Sequence, residues 1–117
     1  MAKKQYIAIY TTASLPWMTG TAVNPLFRAC YLAKDGERKV TLAIPWLSPK
    51  DQALVYPDNI RFNTALDQEA YVRKWLEDRT RFITRFDIKF YPGRVITTVL
   101  LVMLYANFES PVLVLLL

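Results

Sequence analysis

Two runs constrain this chain most: Gln5–Thr12 (QYIAIYTT) and Lys39–Trp46 (KVTLAIPW). Both are short, apolar and rich in β-branched residues, the pattern of strands buried on both faces in a parallel sheet. Parallel neighbours need a crossover of a dozen or more residues, and the intervening stretch supplies one. Ala13–Val23 (ASLPWMTGTAV), with Pro16, Gly20 and small polar residues, reads as a loop. Asn24 then reads as a helix cap with Pro25 at the first helical position. Leu26, Ala29, Cys30 and Ala33 fall on one helical stripe, and Gly36 is placed to stop the helix. The chain therefore opens as β-loop-α-β.

The remainder continues the alternation. Leu47–Asn63 carries Ser48-Pro49, Tyr56-Pro57 and Asp58-Asn59 and reads as loop, with a short edge strand at Ile60–Phe62. Thr64 or Asp67 can cap a long helix running to about Thr84, with Val72, Trp75, Leu76 and Ile83 on one face and Phe82 beside them. Phe86, Ile88 and Phe90 alternate with Asp87 and Lys89, giving a strand with one buried face before the turn at Pro92-Gly93. Alternating strands and helices predict an α/β three-layer sandwich on a mostly parallel sheet.

Composition narrows the chemistry. With 117 residues the chain has room for one small domain. It has no histidine and a single cysteine, which excludes Ser-His-Asp and Cys-His catalysis, an intrachain disulfide and a cysteine-based zinc site. The net charge of +5 suits an acidic partner, but the basic residues are interleaved with acids. The densest basic segment, Arg73 to Arg94, reads as a solvated helix face, and nucleic acid is not expected as a partner. After Arg94 the character changes: from Val95 to Leu117 the only charged side chain is Glu109. Val95–Ala106 reads as a helix or a strand pair, its valines and threonines favouring strand; as a helix it would reach about 18 Å against a hydrocarbon core of about 30 Å. Glu109 and Pro111 interrupt any longer span, so 94–117 reads as an apolar tail rather than a membrane helix.

There is no GxGxxG and no Walker A segment. In open α/β sheets ligands bind beyond the carboxyl ends of strands, which directs attention to the loop leaving the first strand. Its Thr19-Gly20-Thr21 offers hydroxyls close to a helix N-terminus, where partial positive charge favours an anion or a hydroxyl network. A plain structural turn is an equally good reading of the same residues. Trp46, at the end of the second strand, fits a platform for a sugar ring or lipid, and fits better a plug between helix and sheet. Asp51, Asp58 and Asp67 are scattered, so no paired-carboxylate acid/base site is expected. Cys30 reads as an inert core residue. No metal or cofactor is expected.

The run Thr11–Ala29 (TTASLPWMTGTAVNPLFRA) closely resembles the opening of the plant digalactosyldiacylglycerol synthase family. The likeness continues through Tyr31–Lys34, Val40–Leu42, Ile44–Leu47, Asp51-Gln52, Leu54–Pro57, Tyr71–Glu77 and Phe90–Gly93. The start of the chain, with no N-terminal extension, is more similar to the short form of the enzyme. The resemblance implies a retaining glycosyltransferase of the GT-B fold, with two Rossmann-like domains and the site between them. It implies transfer of galactose from UDP-galactose to monogalactosyldiacylglycerol, a membrane-surface substrate, at the chloroplast outer membrane. Residues 1–93 would be a partial N-terminal, acceptor-side domain making an incomplete Rossmann-like sandwich. Thr19, Gly20 and Thr21 would line the cleft as substrate-binding residues, and no catalytic residue is assigned. The likeness stops after Gly93, so 94–117 reads as a divergent tail and the chain as a fragment inactive alone. The alternative is a non-catalytic, membrane-associating or partner-binding product.

Overall fold

The computed structural model of the chain describes residues 5–93 and the strand 112–116. The elements are β1 (Gln5–Tyr10), α1 (Gly20–Leu32), β2 (Arg38–Trp46), α2 (Pro49–Val55), α3 (Ala65–Thr80), β3 (Asp87–Pro92) and β4 (Val112–Leu116). The four strands form one parallel sheet in the order β3-β2-β1-β4. The α/β class and the parallel sheet expected from the two apolar runs are present. The segment Val112–Leu116, read as part of a separate tail, pairs with β1 from Tyr6↔Val112 to Tyr10↔Leu116. Residues 94–111, including the stretch Val95–Ala106 weighed as a membrane span, lie outside the described residues. Among the described residues no helix is long and apolar enough to cross a membrane.

Three layers were expected; the described residues make two. From β1 to β2 to β3 the chain steps the same way across the sheet, so right-handed crossovers lay α1 and α3 on the same face. That face carries Ile7, Ile9, Val40, Leu42, Ile44 and Ile88, which pack with Leu26, Ala29, Cys30, Val72 and Leu76 in one core. Each fully buried aliphatic side chain there contributes roughly 1.5–3 kcal/mol on leaving water. On the opposite face Tyr6 is exposed and Ala8 and Tyr10 are half-buried. β1 is therefore not buried on both sides by described elements, contrary to the reading of its apolar run.

Helix boundaries shift in instructive ways. α1 begins at Gly20 with Thr19 as N-cap, a turn before the expected cap at Asn24, and Pro25 lies inside the helix. A proline there lacks the N–H that would bond the Thr21 carbonyl. That carbonyl instead accepts from the buried Thr11 hydroxyl at the end of β1. The helix ends at Leu32, and Gly36, at φ +75°, closes the following turn rather than the helix itself. α2 replaces the expected loop: Ser48 accepts from the Asp51 N–H (3.2 Å) and Pro49 opens the helix. Ile60–Phe62 is not a strand. The Phe62 N–H bonds Gln52 Oε1 (2.8 Å) and its carbonyl accepts from Gln52 Nε2 (3.3 Å), so one side chain does the work of a neighbouring strand.

Thr64, not Asp67, caps α3, accepting from the Asp67 N–H at 3.2 Å. The helix stops at Thr80 because Arg81 takes a left-handed conformation (φ 65°). Ile83, placed by helical spacing on the buried face, lies beyond that break and is 78% exposed. β2 runs through Pro45 to Trp46, as the sequence run suggests. The Ala43 carbonyl accepts from Thr11 N–H, so the Pro45 nitrogen points to the same side, where β1 has already left the sheet. No ladder bond is lost.

Candidate functional site

The loop after β1 is fastened from beneath. The Thr11 hydroxyl, besides bonding Thr21, accepts from Ala13 N–H (3.3 Å), and the Tyr91 hydroxyl donates to the Thr11 carbonyl. Gln68 of α3, fully buried, donates through Nε2 to the Leu15 carbonyl (2.9 Å) and lies 3.1 Å from Ser14 Oγ and 3.0 Å from the Tyr56 hydroxyl. Its Oε1 has no hydrogen-bond partner among the described residues. Burial raises the Tyr56 and Tyr91 phenols, Tyr91 to about 12, so both stay protonated and able to donate.

At the tip of this loop stand the three residues picked out by sequence. Thr19 has extended backbone and no side-chain cap bond; its hydroxyl and that of Thr21 lie 2.9 Å apart at the surface. Gly20 is the first residue of α1 and is exposed, and a Cβ there would meet only Asn24 Nδ2 at 3.5 Å. Its backbone therefore does not demand glycine. The three residues are brought together at the start of a helix of 13 residues, above the carboxyl end of β1.

A second feature lies where β2 and β3 end. A cleft of about 920 Å³ is lined by Trp46, Ser48, Asp51, Asn63, Thr64 and Phe90, with Tyr91 to Gly93 completing it. Trp46 is half-buried and meets Phe90 edge-to-face at 6.0 Å, so it is neither the sealed plug nor a fully free platform. Gly93 closes the floor: a Cβ there would approach Leu47 Cδ2 to 3.1 Å and the Trp46 carbonyl to 3.3 Å. Thr19, Gly20 and Thr21 are not among the residues lining this cleft. The sequence reading missed this cleft; the partial signal that could have pointed to it is the pair of caps, Ser48 with Pro49 and Thr64 with Asp67, which bring two helix starts to the strand ends.

The remaining candidates serve structure. Cys30 is 1% exposed, and burial raises its thiol. Asp58 sits with Asn59 in a left-handed turn, and among the described residues no three potential metal ligands cluster. Arg73 is a strut: it pairs with Glu69 (2.9 Å), bonds Thr84 Oγ1 (3.0 Å) and the Phe86 carbonyl (2.8 Å), and lies over the Phe86 ring. Lys74 pairs with Asp78 and Arg79 stacks on Trp75 at 3.7 Å, as expected of a solvated mixed-sign face.

No protein-family model matches the chain. Among curated proteins it is 70% identical over 94 residues to digalactosyldiacylglycerol synthase 2, chloroplastic, of Lotus japonicus. It is 65% identical over 92 residues to the protein of the same name from Arabidopsis thaliana. It is 62% identical over 91 residues to digalactosyldiacylglycerol synthase 1, chloroplastic, of Arabidopsis thaliana. These matches take in 78–80% of the chain, 20% of each type 2 relative and 11% of the type 1 relative. The chain thus spans about a fifth or less of the length of the relatives it matches.

Proposed function

We propose, from the premise that this chain is related by descent to the plant digalactosyldiacylglycerol synthases, that it forms part of a galactolipid galactosyltransferase. The reaction is transfer of galactose from UDP-galactose to monogalactosyldiacylglycerol at the chloroplast outer membrane. The observation that carries this reading is 58–70% identity to six such synthases across about four fifths of the chain. The parallel sheet, with its loops and helix starts gathered at the carboxyl ends of the strands, is compatible with a partial Rossmann-like domain of a GT-B enzyme.

In this reading residues 5–93 belong to the acceptor side. Thr19 and Thr21 present hydroxyls, and Gly20 and Thr21 helix-start amides, to polar groups of the substrate, on a loop whose base is held by Thr11 and Gln68. The 117-residue polypeptide tested by itself is inactive, because a two-substrate transfer requires both reactants held in near-attack geometry. The test is a graft: residues 5–93 replace their counterpart in a full-length relative, and transfer of labelled galactose to monogalactosyldiacylglycerol is measured. Activity comparable to the parent is expected. A graft that folds but does not transfer, or turnover by the 117-residue chain alone, contradicts the reading.

A further inference from the structure

We propose that the cleft at the carboxyl ends of β2 and β3 is a binding site for a neutral hexose, with Trp46 as the surface for the ring and Asp51 and Asn63 as its hydroxyl partners. The identity of the hexose, the galactose of a galactolipid headgroup, rests on the galactosyltransferase reading; the ring-binding itself rests on the cleft.

Three observations converge. First, the indole of Trp46 is half-buried and held at 86° against Phe90, so a flat apolar surface is fixed in the cleft. One face of a pyranose is a sheet of C–H groups that such a surface accepts, while its hydroxyls project sideways. Second, the rim is polar with both donors and acceptors. Asp51 offers carboxylate acceptors, and the Asn63 amide donates and accepts. Ser48 and Thr64 accept from the helix amides of Asp51 and Asp67, and each keeps its own O–H to donate. That mixture matches sugar hydroxyls, each of which needs to give and receive. Third, no lysine or arginine is among the described residues lining the cleft, whereas Asp51 contributes a negative charge. Phosphate is held by cationic side chains or by helix-start amides; among the described residues no cation lines the cleft, the Ser48 and Thr64 hydroxyls already take the Asp51 and Asp67 amides, and the Asp51 carboxylate opposes an anion, so a neutral sugar fits better than a nucleoside diphosphate.

The chain's three tryptophans, Trp17, Trp46 and Trp75, give three indole N–H signals that report separate places. The full 117-residue chain is titrated with methyl β-galactopyranoside, and separately with UDP, while ¹H–¹⁵N spectra are recorded. The expected result is saturable movement of the Trp46 indole signal by the galactoside, with Trp17 and Trp75 unmoved and no movement of Trp46 by UDP. Asp51→Asn weakens the binding roughly fivefold, read at the Trp46 indole; with that signal removed, the Asn63 side-chain amide reports no saturation in Trp46→Ala and partial saturation in Trp46→Phe. A galactoside that leaves Trp46 still, or UDP that moves it in the galactoside's place, overturns the assignment. Movement confined to the Thr19–Thr21 amides also overturns it, yet leaves the galactosyltransferase reading standing. Conversely, an inactive full-length graft with an intact Trp46 titration removes the enzymatic reading and keeps the hexose site.

Discussion

The chain leaves the carboxyl edge of the sheet after β1 and again after β2, and the two exits use their polar groups in opposite ways. After β1, Thr11, Ser14 and Gln68 are buried and turned on one another and on the backbone of the loop. After β2, Ser48, Asp51, Asn63 and Thr64 are exposed around an open cleft. Buried polar groups are costly unless bonded, so the first exit is a scaffold: among its described buried side chains only Gln68 Oε1 lacks a partner. The second buries one such side chain, Gln52, against Leu47 and Phe62 and keeps the others available to a ligand. Substitutions at the first exit should therefore change stability, and those at the second should change binding.

The largest effect is expected at Gln68. Gln68→Leu removes the amide donor from the Leu15 carbonyl, Ser14 Oγ and the Tyr56 hydroxyl, leaving the first two only their mutual 3.3 Å bond, at about 2–3 kcal/mol, partly offset because the unpartnered Oε1 goes too. Urea unfolding of the variant measures it, and a loss below about 0.5 kcal/mol would break the contrast. Thr11→Val keeps the shape and removes the hydroxyl that serves the Thr21 carbonyl beneath Pro25. A loss of about 1–2 kcal/mol is expected by the same measurement, with fraying of the first turn of α1.

Tyr91 adds a pH signature. Its folded pKa, about 12, lies above the ordinary value of 10.0, so the unfolded chain releases this proton first. The stabilisation is complete below about pH 10 and is lost as pH rises toward 12. Tyr91→Phe should flatten that alkaline decline, leaving the smaller parts due to Tyr10, Tyr56 and Cys30, which burial raises in the same direction. An unchanged alkaline limb in melts across this range would remove Tyr91 from the account. The smallest effect belongs to the cleft: Asp51→Asn should shift stability by no more than about 0.5 kcal/mol, since the Ser48 cap bonds the Asp51 amide rather than its carboxylate. A larger loss would mean that this exit too is scaffold.

Much of this was legible in the sequence because it depended on local pattern. The strands β1, β2 and β3, the helix between the first two, a long helix capped at Thr64 or Asp67 and the buried Cys30 all followed from periodicity and capping chemistry. Boundaries failed where a distant side chain replaced a local bond. Pro25 fitted the start of a helix until the Thr11 hydroxyl, fourteen positions earlier, relieved the carbonyl it leaves open. Ile60–Phe62 reads as an edge strand from its apolar residues, but the Phe62 backbone is satisfied by Gln52 and the Ile60 N–H by the Pro57 carbonyl instead of by a neighbouring strand. Ile83 kept helical spacing past a break set by a single left-handed residue, Arg81. For the site, sequence led to the loop tip at Thr19–Thr21. The cleft needed the register that brings the ends of β2 and β3 side by side, from Thr41↔Asp87 to Trp46↔Pro92, which no single segment encodes.

The contrast between the exits is tested most directly by native-state hydrogen exchange on the full chain. The Ala13 and Trp17 amides, bonded to Thr11 Oγ1 and the Ser14 carbonyl over the buried network, should exchange slowly, at rates that respond to Gln68→Leu. The amides of the exposed Asn63 and Thr64 at the cleft rim should exchange quickly and be indifferent to that substitution. Equal rates at the two exits, or a Gln68→Leu variant that leaves Ala13 and Trp17 as protected as before, would contradict the account.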